Sequence, residues 1–129
     1  MASAHEMYQE QILDHYKRPR NKGILDPATF HGKTSNPLCG DEISLYLQVD
    51  GADRVSEVRF DGVGCAISQA SASMLTEAIR GKGLPDVKAL DRDDVLAFLG
   101  IPLSAVRLKC ALLSLQTLRE ALGLPGRES

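Results

Sequence analysis

The chain has 129 residues, a length typical of one domain, and its 15 Lys and Arg against 17 Asp and Glu give a net charge of −2. Hydrophobic residues make up 43% and charged residues 25%, which is typical of a globular chain rather than a disordered or fibrous one. Without a basic excess or an apolar run of roughly 20 residues, we expect a single domain over residues 1–129 with no nucleic-acid or membrane partner.

The first predicted element is a helix from about Ala4 to Lys17. Ser3 and Glu6 have the spacing of a capping box, in which each side chain satisfies a free N–H at the start of a helix. Ile12 lies on the apolar face, and Pro19 ends the helix because it cannot donate a backbone hydrogen bond.

Three strands are predicted next. A short strand runs from Thr29 to Ser35, and a clearly alternating one follows from Ile43 to Val49. Asp50-Gly51 then provides a turn, and the chain returns as a strand from Arg54 to Phe60. Val55 is out of phase with the alternation of this last strand, which predicts a bulge.

The second half of the chain is predicted to be helical. One helix follows Cys65 and ends at Gly81, Asp91 caps a short second helix, and Ser104 caps a last helix that runs to about Leu122. The last helix has its predicted core stripe at Leu108, Ala111, Leu112, Leu115, Leu118 and Leu122. Strands followed by helices favour an α+β fold, with an antiparallel sheet and helices packed on one face.

The three cysteines, Cys39, Cys65 and Cys110, are the main candidates for chemistry. The N-terminus has no signal-peptide pattern, so we expect a cytoplasmic protein in which thiols stay reduced. An odd number of cysteines argues further against a disulfide framework, and the absence of a Cys-x-x-Cys pair leaves no zinc-ribbon signature.

Each cysteine has an unusual local setting. Cys39 and Asp41 are two residues apart in an extended segment and can present a thiolate and a carboxylate on the same side. Cys65 follows a Gly-Val-Gly turn at a predicted helix start, where free N–H groups favour a thiolate. Cys110 lies about 140° from the centre of the leucine stripe and is predicted to point away from the main core.

Any one of these cysteines alone can equally be a space-filling core residue. Two of them flank glycine turns at element ends and the third is off the stripe, and together these positions favour a shared site. If the three thiolates converge with Asp41, the set suits tetrahedral Zn²⁺ or an iron–sulfur cluster. A carboxylate is a weak ligand among thiolates, so such a site should release its metal or cluster readily.

Other side chains carry weaker signals. His5, His15 and His31 have no metal-ligand spacing with one another, and we expect His15 to pack or hydrogen-bond on the first helix. The serines that follow Cys65 are interpreted as small residues of a packed helix without a histidine partner, rather than as nucleophiles: Ser68, Ser71 and Ser73.

Four ordered motifs follow one another along the chain: Asp14-His-Tyr-Lys-Arg-Pro-Arg-Asn-Lys-Gly23, Asn36-Pro-Leu-Cys-Gly-Asp41, Gly62-Val-Gly-Cys-Ala-Ile-Ser68 and Arg107-Leu-Lys-Cys-Ala111. They resemble the IscU/SufU/NifU-N family of iron–sulfur cluster scaffolds, and the resemblance runs from about residue 5 to residue 122. The resemblance implies an α+β fold with a three-stranded antiparallel sheet.

The resemblance also implies one exposed site at Cys39, Asp41, Cys65 and Cys110, which holds Zn²⁺ or a nascent [2Fe–2S] cluster. Its implied partners are a cysteine desulfurase, which donates persulfide sulfur, and proteins that accept the cluster or the sulfur. Cys39 and Cys110 are the implied persulfide acceptors, with Cys65 chiefly a ligand.

Two features separate this chain from the main branches of the family. The IscU branch has a histidine before its third cysteine, within a Leu-Pro-Pro-Val-Lys chaperone-binding motif, where this chain has Lys109. The Arg107-Leu-Lys-Cys110 motif and the Ala70-Ser-Ala-Ser-Met74 run resemble the SufU branch instead. SufU proteins typically carry an insertion between the second and third cysteines, and the interval from Cys65 to Cys110 is too short for it.

The leading hypothesis is therefore a SufU-like scaffold, which need not be an enzyme. A zinc-dependent sulfurtransferase that relays persulfide sulfur without holding a cluster would use the same four residues. A purely structural zinc site ranks last, because such sites usually have four cysteine or histidine ligands.

Overall fold

The protein is described by a computed structural model, which covers the backbone of residues 4–36 and 40–124 and the side chains from residue 9 onward. Its elements are α1 (Ala4–Lys17), β1 (Phe30–Asn36), β2 (Asp41–Val49), β3 (Val55–Val63), α2 (Ala66–Ile79), α3 (Leu84–Lys88), α4 (Arg92–Leu99) and α5 (Ala105–Ala121). The predicted capping box at Ser3 and Glu6 lies outside the part of the chain whose side chains are described. None of the described helices is long and apolar enough to cross a membrane.

The strands form one antiparallel sheet in the order β1-β2-β3, as the resemblance implied. Val49 pairs with Val55 whereas Gln48 pairs with Glu57, so the register shifts by one residue and the predicted bulge is confirmed. Alternate side chains of β2 are fully buried, as expected for a sheet with one covered face: Ile43, Leu45 and Leu47.

The helices cover that buried face. α5 packs on β1 and β2, α2 packs on α5 and β3, and α1 packs on the outer side of α2. This layering buries more of α5 than its leucine stripe, since Leu113, Ser114 and Thr117 are also buried. The predicted buried face of α5 was too narrow, because α5 contacts the sheet on one side and α2 on the other.

The predicted N-caps of α4 and α5, Asp91 and Ser104, are confirmed. The Asp91 carboxylate accepts from the Asp94 N–H at 3.1 Å, and the Asp94 carboxylate accepts from the Asp91 N–H at 3.0 Å. α4 ends at Gly100 in the left-handed conformation. Ser104 Oγ accepts from the Arg107 N–H at 3.3 Å and thereby fixes the start of α5.

Candidate metal centre

Three of the four predicted ligands meet where the sheet ends against the helices. Asp41 is the first residue of β2, Cys65 is the N-cap of α2 directly after β3, and Cys110 lies in the second turn of α5. One ligand atom from each residue lies within 4.8 Å of the other two. Residues separated by up to 69 positions therefore converge because the β3–α2 connection and α5 both pack beside the start of β2.

The Asp41 carboxylate is held in place by the backbone of α2. It is 1% exposed, and its Oδ1 accepts a hydrogen bond from the Cys65 N–H at 2.9 Å. Its Oδ2 lies 3.7 Å from Cys65 Sγ, within reach of a weak thiol hydrogen bond. One carboxylate oxygen is thus occupied by the protein, and the other faces the thiols.

Gly64 provides the space for this carboxylate. Its φ of +151° lies in a region that side chains rarely adopt, and a Cβ there would lie 2.3 Å from Asp41 Oδ1 and 2.7 Å from Ser68 Oγ. Ser68 in turn donates to the Cys65 carbonyl at 3.0 Å. The sequence showed the glycine turn but gave no sign of this role for Ser68.

Cys110 is 1% exposed but belongs to neither apolar cluster of the core. It faces Asp41 and Cys65 instead, in accord with its predicted position off the leucine stripe. α5 is fixed on α2 beside it, because Ser71 Oγ donates to the Ala111 carbonyl at 2.6 Å. The small serine allows this close approach and sets the distance between Cys110 and Cys65.

Cys39, the fourth predicted ligand, lies outside the described residues, and its place at the centre remains a prediction. The next described residue is Gly40, which precedes Asp41.

The three described ligands fit a metal ion chemically. Zinc binds thiolate sulfur at about 2.3 Å and carboxylate oxygen at about 2.0–2.2 Å, so atoms already within 4.8 Å of each other need only small shifts to share one ion. Cys65 is half-buried at the N-terminus of the 14-residue helix α2, so its sulfur is accessible to an incoming metal ion.

The expectation that the α2 serines have no histidine partner was wrong for Ser73. Its hydroxyl lies 2.7 Å from His15 Nδ1, and His15 Nε2 lies 3.3 Å from a Glu77 carboxylate oxygen. Burial chiefly lowers the pKa of His15, and the nearby Arg20 charge lowers it further. The contacts of His15 with Ser73 and Glu77 therefore join α1 to α2. Ser73 is fully buried and so is inaccessible to a substrate.

The other histidines and the charged residues before Cys110 are not part of the three-residue cluster. His31 stacks on Tyr46 with ring centroids 4.4 Å apart on the uncovered face of the sheet. Arg107 and Lys109 are exposed on the first turns of α5. The side chain of His5 is not among those described.

A three-stranded sheet covered on one face, with a mixed thiol and carboxylate cluster at its end, defines a small α+β domain built around one candidate metal centre. Residues 7–124 match the model of the NifU-like N terminal domain, and the chain therefore belongs to that family.

Curated relatives carry two different functional names. The chain is 38% identical to the zinc-dependent sulfurtransferase SufU of Bacillus subtilis, over 92% of this chain and 91% of that protein. It is 34% identical to the iron–sulfur cluster assembly scaffold protein IscU 1 of Archaeoglobus fulgidus, over 90% of this chain and 74% of that protein. The SufU alignment spans 136 positions, more than this chain contains, so SufU has residues there that this chain lacks.

A solved structure agrees with the fold. FiSufU of Fervidobacterium islandicum AW-1, a proposed iron–sulfur cluster assembly scaffold of the SUF system, superposes with a TM-score of 0.74 at 34% identity. The match covers 93% of this chain and 99% of that one.

Proposed function

We propose that the protein is an iron–sulfur cluster assembly scaffold. It accepts sulfur from a cysteine desulfurase and holds a labile [2Fe–2S] cluster, or zinc, at Cys39, Asp41, Cys65 and Cys110 before passing its cargo to an acceptor protein.

The observation that carries this proposal is the carboxylate of Asp41 among the thiols. A permanent site for iron–sulfur chemistry would use soft thiolate ligands throughout. Asp41 is a harder, weaker ligand than a thiolate. Its Oδ1 accepts a hydrogen bond from the Cys65 N–H, which leaves Oδ2 for the metal. Such a ligand is readily displaced, as release of a cluster requires.

Sulfur enters by thiol–persulfide exchange. A thiolate of the scaffold attacks the outer sulfur of the desulfurase persulfide, a new S–S bond forms, and the desulfurase cysteine leaves as a thiolate. Of the two described cysteines, Cys65 is half-buried and Cys110 is almost fully buried, so Cys110 must become exposed before it can react. Cys39 and Cys110 remain the proposed acceptors.

A zinc-dependent sulfurtransferase is the second candidate, with the same ligands. The similarity to SufU supports it, as does Lys109 in the position where the IscU branch has histidine. In this alternative a cysteine leaves the zinc, attacks the persulfide as a thiolate and relays sulfur, and no cluster forms on the protein.

The two candidates are separated by assaying desulfurase turnover in the presence of the metal-free, zinc-loaded and iron-loaded protein. The scaffold proposal predicts that, with a dithiol present to reduce the persulfide sulfur to sulfide, the iron-loaded protein accumulates acid-labile sulfide and develops visible absorbance during turnover. Stimulation by the zinc-loaded protein alone, lost with iron, would establish the sulfurtransferase. Cys65→Ser serves as the ligand variant, and Lys88→Ala, on exposed α3, serves as a control that leaves the proposed ligands and their neighbours intact.

A further inference from the structure

A small cavity adjoins the metal centre on the side of α1. Its volume is about 290 Å³, close to the lower limit of small-molecule sites. It is lined by Tyr16, Pro19, Lys22, Gly62, Val63, Gly64 and Gln69. Gly64 also contacts the Asp41 carboxylate, so one glycine turn separates the cavity from the proposed ligands.

Gln69 brings an unsatisfied donor to this cavity. The residue is 6% exposed, and its buried Nε2 has no hydrogen-bond partner among residues 4–36 and 40–124. Buried polar groups are paired in the great majority of cases, so this amide indicates a missing acceptor. The terminal torsion of glutamine is broad and roughly two-fold, so rotation of the amide exchanges the positions of its oxygen and nitrogen and can bring the N–H to the side of the residue that lines the cavity.

The backbone and the one charged residue of the lining favour an anionic acceptor. Among the described residues, Lys22 is the only charged one in the lining, and no described carboxylate lies within 4 Å of its Nζ, which sits 5.8 Å from the centre of the Phe60 ring. No acidic side chain of residues 9–36 and 40–124 lines the cavity. The described lining therefore carries a net positive charge.

The edge of β3 that faces away from β2 adds a further donor. Phe60 directs both backbone groups away from β2, since its N–H donates to Asn21 O at 2.9 Å and its carbonyl accepts from the Gly23 N–H at 2.8 Å. In an antiparallel ladder this orientation recurs at every second residue. The N–H of Gly62, two residues later, therefore points to the same edge, where Gly62 lines the cavity.

We propose that this cavity binds the carboxylate of a small organic acid of about amino-acid size. The carboxylate accepts from Gln69 Nε2 and the Gly62 N–H and pairs with the Lys22 ammonium. The site is distinct from the metal ligands, and its occupancy does not depend on which metal the centre holds.

The test uses N-acetylglycine as the probe, because it has a carboxylate but no thiol or ammonium group. Its binding to the ¹⁵N-labelled protein, with and without zinc, is followed through the side-chain amide signal of Gln69 and through the backbone amide signal of Gly62, which is present in every variant. We expect a saturable shift with a Kd on the order of 1 mM in both forms. N-acetylglycinamide, the matched neutral compound, should bind at least tenfold more weakly.

Two variants test the residues independently. Lys22→Met keeps the apolar stem over Phe60 and removes the charge, and Lys88→Met, on exposed α3, is its matched control. Gln69→Leu removes the unsatisfied amide and should fold at least as stably as the parent. Each cavity variant should weaken N-acetylglycine binding at least tenfold. An absent shift, an equal response to the neutral amide, or unchanged binding by Lys22→Met would overturn the proposal.

Discussion

Replacing Gly64 with alanine tests whether the glycine turn positions the carboxylate of the metal centre. The new Cβ would lie 2.3 Å from Asp41 Oδ1, so the carboxylate must retreat by about 1 Å to restore ordinary contact. That movement breaks the 2.9 Å hydrogen bond from the Cys65 N–H.

Backbone strain at residue 64 and the broken hydrogen bond should lower both the stability and the zinc affinity of Gly64→Ala. Strain at a φ of +151° costs about 1–3 kcal/mol, and loss of a hydrogen bond to a buried charge costs about 1.5–3 kcal/mol. We therefore expect Gly64→Ala to lower the free energy of unfolding by about 3–5 kcal/mol in the metal-free protein. Misplacing one ligand should also lower zinc affinity by about 10–100-fold.

Chemical denaturation measures the first quantity, and competition with a chromophoric chelator measures the second. Gly81→Ala is the matched control, because Gly81 also has a positive φ but a Cβ there meets nothing within 4 Å. The control should lose stability through backbone strain alone and keep its zinc affinity. Equal zinc affinity in Gly64→Ala and Gly81→Ala would show that the Gly64 turn does not position the carboxylate for the metal.

Three further predictions follow from the same contacts. Serine in place of Cys39, Cys65 or Cys110 should each lower zinc affinity at least about tenfold in the chelator assay, and parental affinity in any one variant would remove that residue from the ligand set. Asp41→Cys should slow cluster loss to a chelator severalfold, because it replaces the weak carboxylate with a thiolate; unchanged release would show that Asp41 does not set lability. The folded protein holds the pKa of His15 below its usual 6.5, so the unfolded chain binds the proton more readily and stability should fall as the pH drops through 6.5. Denaturation between pH 8 and 5 should show this loss in the parent and a flatter profile in His15→Asn.

Local signals in the sequence predicted much of the fold. The Asp91 cap, the Ser104 cap and the bulge next to Val55 each depend on neighbours in the chain, and the structure contains all three. The residue pattern predicted three strands, and the family resemblance implied the same number. The full burial of α2 from Ser68 to Thr76 could not be read from the sequence, since it arises from α1, α5 and β3 packing around one helix.

The surroundings of the candidate site could not be read from the sequence. The local settings of the cysteines and the family resemblance pointed to Cys39, Asp41, Cys65 and Cys110, and the structure brings the last three together. The His15–Ser73 contact joins residues 58 positions apart, and no local pattern links them. The unsatisfied amide of Gln69 was equally invisible, because a lack of partners appears only when the surrounding elements are in place.

The most direct test of the scaffold proposal is the iron, zinc and sulfide content of the protein, with its visible spectrum, after anaerobic purification and incubation with ferrous iron, cysteine and a desulfurase. The account predicts equal iron and acid-labile sulfide, charge-transfer absorbance, and transfer of the cluster to an acceptor apoprotein. Near-stoichiometric zinc that iron cannot displace, with no visible absorbance, would contradict it and establish sulfur relay on zinc instead.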